Sequence, residues 1–292
     1  MIGIDVSVWQ GTMRWDEAAS EGAEFAYIKA SQGTAVDPKW GVNSCSCHLK
    51  YKGAYHYLDY TTQHYTVGKE DEFGKAQADF FLKTVGNFGN LVGMLDIETN
   101  KFWEPLHLNY ARAAKIARAF KRQFEARTGH KLGIYMNLST TWAEEWRPYL
   151  TDGPLWVAQY NETLGVPGGW SKWHIWQNSE LGDGANYGAE SEHIDLNISN
   201  DATFHEVVTD GSTPPPGVPP EVHTKTIELK TVKVATLNMR SGPGVNFAIV
   251  GSLPGGKEVE ILETVNVGLD MWARVGQGQW SAVKYNGAVY LE

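Results

Sequence analysis

The sequence predicts an α/β protein: an irregular parallel (β/α) barrel with fewer than eight helices, followed by a small all-β barrel. Three observations predict it. Short β-rich runs alternate with helix-like segments over roughly the first 200 residues. A proline-rich stretch, Gly211 to Pro220, then interrupts the chain and favours an extended spacer that cannot enter a sheet. Beyond it the pattern changes to short strands separated by Gly- and Pro-rich turns. The boundaries fall at 1–208 for the first domain, 209–224 for the linker and 225–292 for the second domain.

Taken in order, the strand-like runs of the first domain are Gly3 to Val8, Phe25 to Ala30, Gly53 to Tyr57, Leu91 to Ile97, Leu132 to Met136, Leu155 to Tyr160, Trp173 to Gln177 and Ile194 to Ile198. The plainest helix is Asn109 to Thr128, where Ala113, Ile116, Ala117, Phe120 and Phe124 recur at helical spacing and Gly129 follows as a stop. Asp71 to Val85 is a second, with Ala76, Phe80, Phe81 and Val85 on one stripe. The alternation fails at the end. Tyr160 to Trp173 and Gln177 to Ile194 are rich in Gly and Asn and read as loops, so the barrel is expected to close irregularly. In the second domain, strands are expected near Lys230 to Ala235, Ala248 to Leu253, Glu258 to Thr264, Trp272 to Val275 and Trp280 to Tyr285.

Composition narrows the function. Hydrophobic residues make up 42% of the 292 and charged residues 20%, an ordinary globular balance with no apolar run long enough to span a membrane. A net charge of −9 argues against a nucleic-acid or anionic-membrane binder, which needs a basic field. That charge is uneven: from Lys225 onward seven basic residues meet six acidic ones, so the first domain carries the negative excess. The 12 Trp and 13 Tyr exceed what core filling alone asks for and suit a surface that stacks on sugar faces.

The sharpest local feature is Leu95-Asp96-Ile97-Glu98, at the end of an apolar strand. Side chains at i and i+2 share a face, so Asp96 and Glu98 project together with Cα atoms roughly 6.5 to 7 Å apart. Strand ends of this polarity form the active-site face of a parallel barrel. Asp5, in Gly3-Ile4-Asp5-Val6-Ser7, and Asp195, in His193-Ile194-Asp195-Leu196-Asn197, occupy equivalent places. An isolated D-x-E is most simply a solvated strand end. Acids crowded at one barrel mouth repel one another and raise at least one pKa, and a raised carboxyl beside an ionised one is what glycoside hydrolysis requires.

Other chemistries find less support. His56, His174 and His193 lack metal-ligand spacing and read as hydrogen-bonded structural groups, and no metal or other cofactor is expected. Cys45 and Cys47 are too close for a comfortable disulfide and too few for structural zinc. A Cys-His nucleophile built with His48 is disfavoured because neither cysteine follows a strand.

The motifs in order resemble the family-25 glycoside hydrolases, the Chalaropsis-type lysozymes of bacteria, fungi and phages. The likeness runs over residues 1 to 208: Gly3 to Gly11, Tyr27 to Gly33 with Asp37-Pro38, Gly53-Ala54-Tyr55-His56-Tyr57, Leu95 to Glu98, Gly133-Ile134-Tyr135, Leu155 to Tyr160, Trp176-Gln177 and Ile194 to Asn197. The resemblance implies a TIM-like barrel and cleavage of the β-1,4 bond from N-acetylmuramic acid to N-acetylglucosamine in peptidoglycan. By the same resemblance Glu98 is the general acid/base, Asp96 assists the transition state, and Asp5 and Asp195 are further acids of the site. It further implies retention, with the substrate's N-acetyl group as nucleophile. Lys29, Tyr57, Tyr135 and Trp176 are candidates for the subsite lining, packing of the barrel mouth being the alternative for each. Asp59 to Asp71 is longer and more polar than the family pattern suggests.

In the second domain, Leu237-Asn238-Met239-Arg240-Ser241-Gly242-Pro243-Gly244 resembles the signature of bacterial SH3 domains, which implies an SH3-like barrel that holds wall peptide or glycan. Trp272 and Trp280 either line its groove or fill its core. The expected partner is therefore bacterial peptidoglycan, with no nucleic acid or membrane; the competing reading is a wall-binding lectin whose barrel has lost activity. An amidase or endopeptidase would need zinc or thiol machinery that the sequence does not offer. No signal peptide is visible before or within Ile2 to Val8, so the expectation is a phage-type endolysin made in the host cytoplasm and released to the wall, or a secreted enzyme whose leader was removed.

Overall fold

A computed structural model describes every residue except 62, 63, 65, 87, 99–109, 210–227, 246, 262, 268, 269, 277 and 278. The predicted linker lies outside the described residues apart from Thr209, and so does Asn109 at the expected helix start. The chain forms two compact units, Met1–Trp40 with Cys47–Val218, and Gly41–Ser46 with Pro219–Glu292.

In the first unit β1 (Ile2–Val6), β2 (Ala23–Gln32), β4 (Tyr51–Tyr57), β5 (Met94–Asp96), β6 (Gly133–Asn137), β7 (Leu155–Ala158), β8 (Ile175–Asp183) and β9 (His193–Ser199) close into a barrel. The short β3 (Ala35–Val36) folds back on β2. Neighbours from β1 to β8 run parallel. The last strand, β9, runs antiparallel to both β8 and β1. The expected loop from Gln177 to Ile194 is thus corrected: β8 continues to Asp183 and pairs with β9 through two register shifts. An antiparallel pair needs only a tight connection and no crossover helix, so the Gly- and Asn-rich residues there supply bulges and a turn.

Strand alternation sorts side chains into two layers. Phe25 and Tyr27 of β2 point into the barrel with Met94, Trp156 and Ile175, and Tyr27 stacks on Trp156 at 5.0 Å. Ala26 and Ile28 face outward to the helices. The end of the barrel remote from the C-terminal ends of the parallel strands is plugged by Phe204, whose ring lies 5.3 Å from that of Phe25, and by Val207. At that same end Ser199 N–H donates to Met1 O at 3.0 Å.

Five α-helices occur among the described residues: α1 (Trp15–Ser20), α2 (Trp40–Ser46), α3 (Glu70–Val85), α4 (Tyr110–Thr128) and α5 (Arg147–Leu150). The acids Glu70, Asp71 and Glu72 favour the start of α3 through the helix dipole. Both long helices end at a glycine of positive φ, Gly86 at 56° and Gly129 at 67°, a conformation other residues adopt only with strain. Their apolar stripes meet each other and the barrel, Phe81 lying 6.0 Å from Phe120 and 6.2 Å from Phe124 between ring centres.

In the second unit β10 (Glu228–Thr231) pairs with β13 (Glu258–Ile261). A second sheet has the order β12 (Ile249–Pro254), β11 (Thr236–Arg240), β16 (Gln279–Tyr285), β15 (Asp270–Gly276), β14 (Glu263–Val267), with β17 (Ala288–Val289) beside β16. Val232, Leu237, Leu253, Val259, Ile261 and Val283 form its core. Trp272 and Trp280, 3% and 4% exposed, stand apart from that core in a cluster with Ala282, against the partly buried Tyr285 and Tyr290. Arg240 pins the signature loop by donating from Nη1 to Val245 O at 2.9 Å and Phe247 O at 2.8 Å.

One glycine ties barrel packing to the site above it. A Cβ on Gly3 would lie 2.2 to 2.4 Å from three ring atoms of Phe25, so the ring occupies the space a side chain would take. Gly3→Ala should therefore cost about 1–3 kcal/mol through overpacking. The urea midpoint should fall at unchanged slope.

Candidate active site

The C-terminal ends of the parallel strands surround a cleft of about 670 Å³ whose lining includes Asp5, Lys29, Tyr57, Asp96, Glu98, Tyr135 and Asp195. Each is delivered by a separate strand or strand end: Asp5 by β1, Lys29 by β2, Tyr57 by β4, Asp96 by β5 with Glu98 just beyond, and Tyr135 by β6. Asp195 arrives from the third position of β9, because that strand starts where the others finish.

Backbone bonds fix the Asp96–Glu98 turn. Leu58 N–H donates to Asp96 O at 2.9 Å, Ile97 N–H to Tyr135 O at 3.0 Å, and the Tyr60 hydroxyl to Glu98 O at 2.6 Å. Asp96 is buried at 4% exposed, and its Oδ1 has no hydrogen-bond partner among the described residues. Glu98 stands open to the cleft. Burial pushes Asp96 well above the usual carboxylate range, and the charge of Glu98 adds to that. Glu98 is raised too, by partial burial and by Asp5, against the lowering pull of Lys29.

Asp5 and Asp195 form a second pair. They are direct cross-strand partners of β1 and β9, and each carboxyl group shifts the titration of the other. Burial pushes Asp5 up to about 6, restrained by donors from Asn197 and Gln177. Asp195 rises to about 8 through burial and then the charges of Asp5 and Glu180. The pair therefore keeps one proton near neutral pH.

Lys29 places its ammonium 4.6 Å from the Tyr57 ring centre and donates to Gln32 Oε1 at 3.0 Å. Tyr135 donates from its hydroxyl to Gln177 Oε1 at 2.8 Å. Trp176 is a correction: it does not line the cleft. Its neighbours Ile175 and Gln177 point inward, so Trp176 points outward onto the barrel–helix layer and donates from Nε1 to Gln159 O at 2.7 Å. Sequence reasoning also missed lining residues, above all Gln177, Tyr160 and the 79% exposed Trp9. Trp9 had a signal in the sequence, an aromatic just past the first strand.

Of the three histidines His56, His174 and His193, the first two are tied into the scaffold, whereas His193 is exposed beside Glu192. His56 Nδ1 pairs with Ser31 Oγ at 2.8 Å and Nε2 with Gln77 Oε1 at 3.1 Å, and burial lowers its pKa to about 4. His174 Nδ1 accepts from Leu155 N–H at 3.1 Å. Burial pushes the Cys47 thiol up to about 11, the opposite of what a nucleophile needs.

The raised pair makes a stability prediction. Asp195 rises from an unfolded value of about 3.9 to about 8 in the fold, so the native state binds more protons between those values. Its contribution is complete below about pH 4 and is lost as pH rises through about 8. Relative to wild type, Asp195→Asn should gain melting temperature steadily across that window and no further above it, as read by calorimetry at a series of pH values.

Residues 4–186 match the family described as Glycosyl hydrolases family 25, and residues 235–288 match the bacterial SH3 domain. Lysozyme M1 of Streptomyces globisporus is 32% identical over 209 residues, which cover 68% of this chain and 67% of that protein. The N,O-diacetylmuramidase of Chalaropsis sp is 29% identical over 214 residues, covering 68% and 95%. The solved bacterial lysozyme from Streptomyces coelicolor superposes with a TM-score of 0.56 at 28% identity, covering 73% of this chain and 98% of that one. The spore cortex lytic enzyme SleM of Clostridium perfringens covers 97% and 96% with a TM-score of 0.57, at 19% identity a likeness of fold alone. With the acids at the strand ends and the match spanning most of the barrel, the chain belongs to family 25 of the glycosyl hydrolases.

Proposed function

We propose that this glycoside hydrolase is a muramidase that cuts the β-1,4 bond between N-acetylmuramic acid and N-acetylglucosamine in peptidoglycan, and that its second domain holds it on the wall. One observation carries the reading: a buried and an open carboxyl group, Asp96 and Glu98, two residues apart at one strand end inside a cleft. The relatives named for lysozyme and muramidase activity support the choice of bond.

In this reading Glu98 donates its proton to the departing glycosidic oxygen and then, as carboxylate, takes one from the incoming water. Its place at the open side of the cleft suits contact with the leaving sugar. In the free protein Asp96, the more deeply buried, competes with Glu98 for a proton. A bound glycan reverses the order. It strips water from Glu98, and an amide N–H of its acetamido group satisfies the unpartnered Asp96 Oδ1 and favours the aspartate. The ionised Asp96 then orients that acetamido group for attack on the anomeric carbon, which gives retention of configuration. Lys29, Tyr57 and Tyr135 are the wall of the subsites.

Digestion of purified peptidoglycan with borohydride trapping and mass spectrometry tests the reading. Wild type should yield new muramitol ends, and Glu98→Gln should lower the rate about 10²- to 10⁴-fold, the usual worth of a general acid. Glucosaminitol ends would overturn the bond assignment, and binding without new reducing ends would make the protein a lectin. For the wall-holding role, Arg240→Ala frees the loop that Arg240 pins and should lower the fraction retained on insoluble walls several-fold in a sedimentation assay.

A further inference from the structure

Around Asp5 lies a set of hydrogen bonds that the proposed reaction does not use. Asp5 Oδ2 accepts from Gln177 Nε2 at 2.9 Å and from Asn197 Nδ2 at 2.8 Å. Behind each amide stand further donors. The Tyr135 and Tyr160 hydroxyls both donate to Gln177 Oε1, at 2.8 and 2.9 Å, and the Trp156 indole donates to Asn197 Oδ1 at 2.7 Å. An indole N–H can only donate, so the Asn197 amide oxygen must face Trp156 and its NH₂ must face Asp5. Phenols can donate or accept, so Asp5 itself turns the Gln177 NH₂ inward and the two hydroxyls then donate to the oxygen left behind. Gln177 and Asn197 are 3% and 1% exposed, so little water competes for these bonds.

Two N–H donors on one oxygen favour the charged form of Asp5, while the other acid of the pair, Asp195, receives no such set among the described residues. We propose that Gln177 and Asn197 are positioning residues that keep the single proton of the Asp5–Asp195 pair on Asp195 and the negative charge on Asp5, so that the charge acts on Glu98 from a fixed place. The proposal rests on Glu98 being the general acid of the muramidase reading.

The asymmetry matters because the amide donors reach Asp5 alone and so fix on which strand the charge of the pair stands. Asp5 raises Glu98, and Asp195 is raised in turn by burial, by Asp5 and Glu180, and by Glu98 itself. Charge held on Asp5 therefore helps Glu98 keep its proton at the pH of catalysis. The other ionisable groups facing the pair are Lys29 from β2, Tyr55 and Tyr57 from β4, Asp96 from β5 and Glu98 just beyond it, Tyr135 from β6, Tyr160 after β7 and Glu180 from β8. Lys29 opposes the effect of Asp5 on Glu98. The tyrosines are raised by burial and by these same acids and stay neutral through the working range.

Gln177→Met removes the donor at nearly constant volume, and Tyr135→Phe loosens the same amide without touching Asp5. The pH profile of kcat/KM on soluble glycan and carboxyl ¹³C titration of the full-length protein provide two readouts. Without the Gln177 donor the proton should move toward Asp5. Asp5 should titrate higher and Asp195 lower in the carbon spectra, and the alkaline limb of kcat/KM should shift toward acid by about half a pH unit or more. Tyr135→Phe should move both in the same direction by less. Unchanged carboxyl titrations in both variants would overturn the proposal, as would a fall in kcat or a rise in KM with the alkaline limb unmoved. The carbon titration does not depend on turnover, so failure of the muramidase reading would show as absent glycan cleavage by wild type with the shifts still present.

Discussion

A carboxylate taken out of water must receive either a proton or a set of donors, and the open end of this barrel is organised around that requirement. Four acids meet there, and each meets it differently. Asp5 has two amide donors, Asp195 shares a proton with Asp5, Glu98 keeps access to solvent, and Asp96 holds an oxygen that nothing in the described protein satisfies. Differences of this kind let identical functional groups hold distinct protonation states at one pH. The apolar layer of Tyr27, Met94 and Trp156 beneath them keeps water from levelling those differences.

The backbone creates the crowding in the first place. Parallel strands bring their C-terminal ends to a common face, which accounts for Asp5, Lys29, Asp96 and Tyr135. Closure with an antiparallel β9 puts the beginning of a strand on that face instead, and so sets Asp195 directly opposite Asp5. It also brings in Asn197, two residues further along the same inward-facing row, to reach Asp5 Oδ2.

Much of this was readable in the sequence. Asp96 and Glu98 stand out because an apolar strand that ends in alternating acids has one simple geometry, and Asp5 and Asp195 stand out by the same token. Strand direction did not. The run from His193 to Ser199 looks the same whichever way it pairs, and only its short, turn-rich separation from β8 carried the information. The neutral amides Gln177 and Asn197 give no charge signal, and their importance comes wholly from what the barrel sets beside them. Trp176 drew attention as an aromatic near the site, although the two-residue period with Gln177 already assigned it to the outer face. In the second unit no strand was expected over Thr236–Arg240, which is β11; the Gly and Pro of the signature that Leu237 opens begin only after Ser241.

The reversed last strand has one more effect. With seven barrel strands rising toward the cleft and one descending from it, the barrel's chain comes back to its point of entry, where Ser199 N–H meets Met1 O. The chain then runs on through Phe204 and Val207 and is tied by Thr209 N–H to Asn90 O at 2.8 Å, so it also leaves on the face remote from the acids. A domain with this property behaves as a cassette: it can be joined to other sequences, or reconnected end to end and reopened at another loop, while the strand pairings that set the four carboxylates stay as they are.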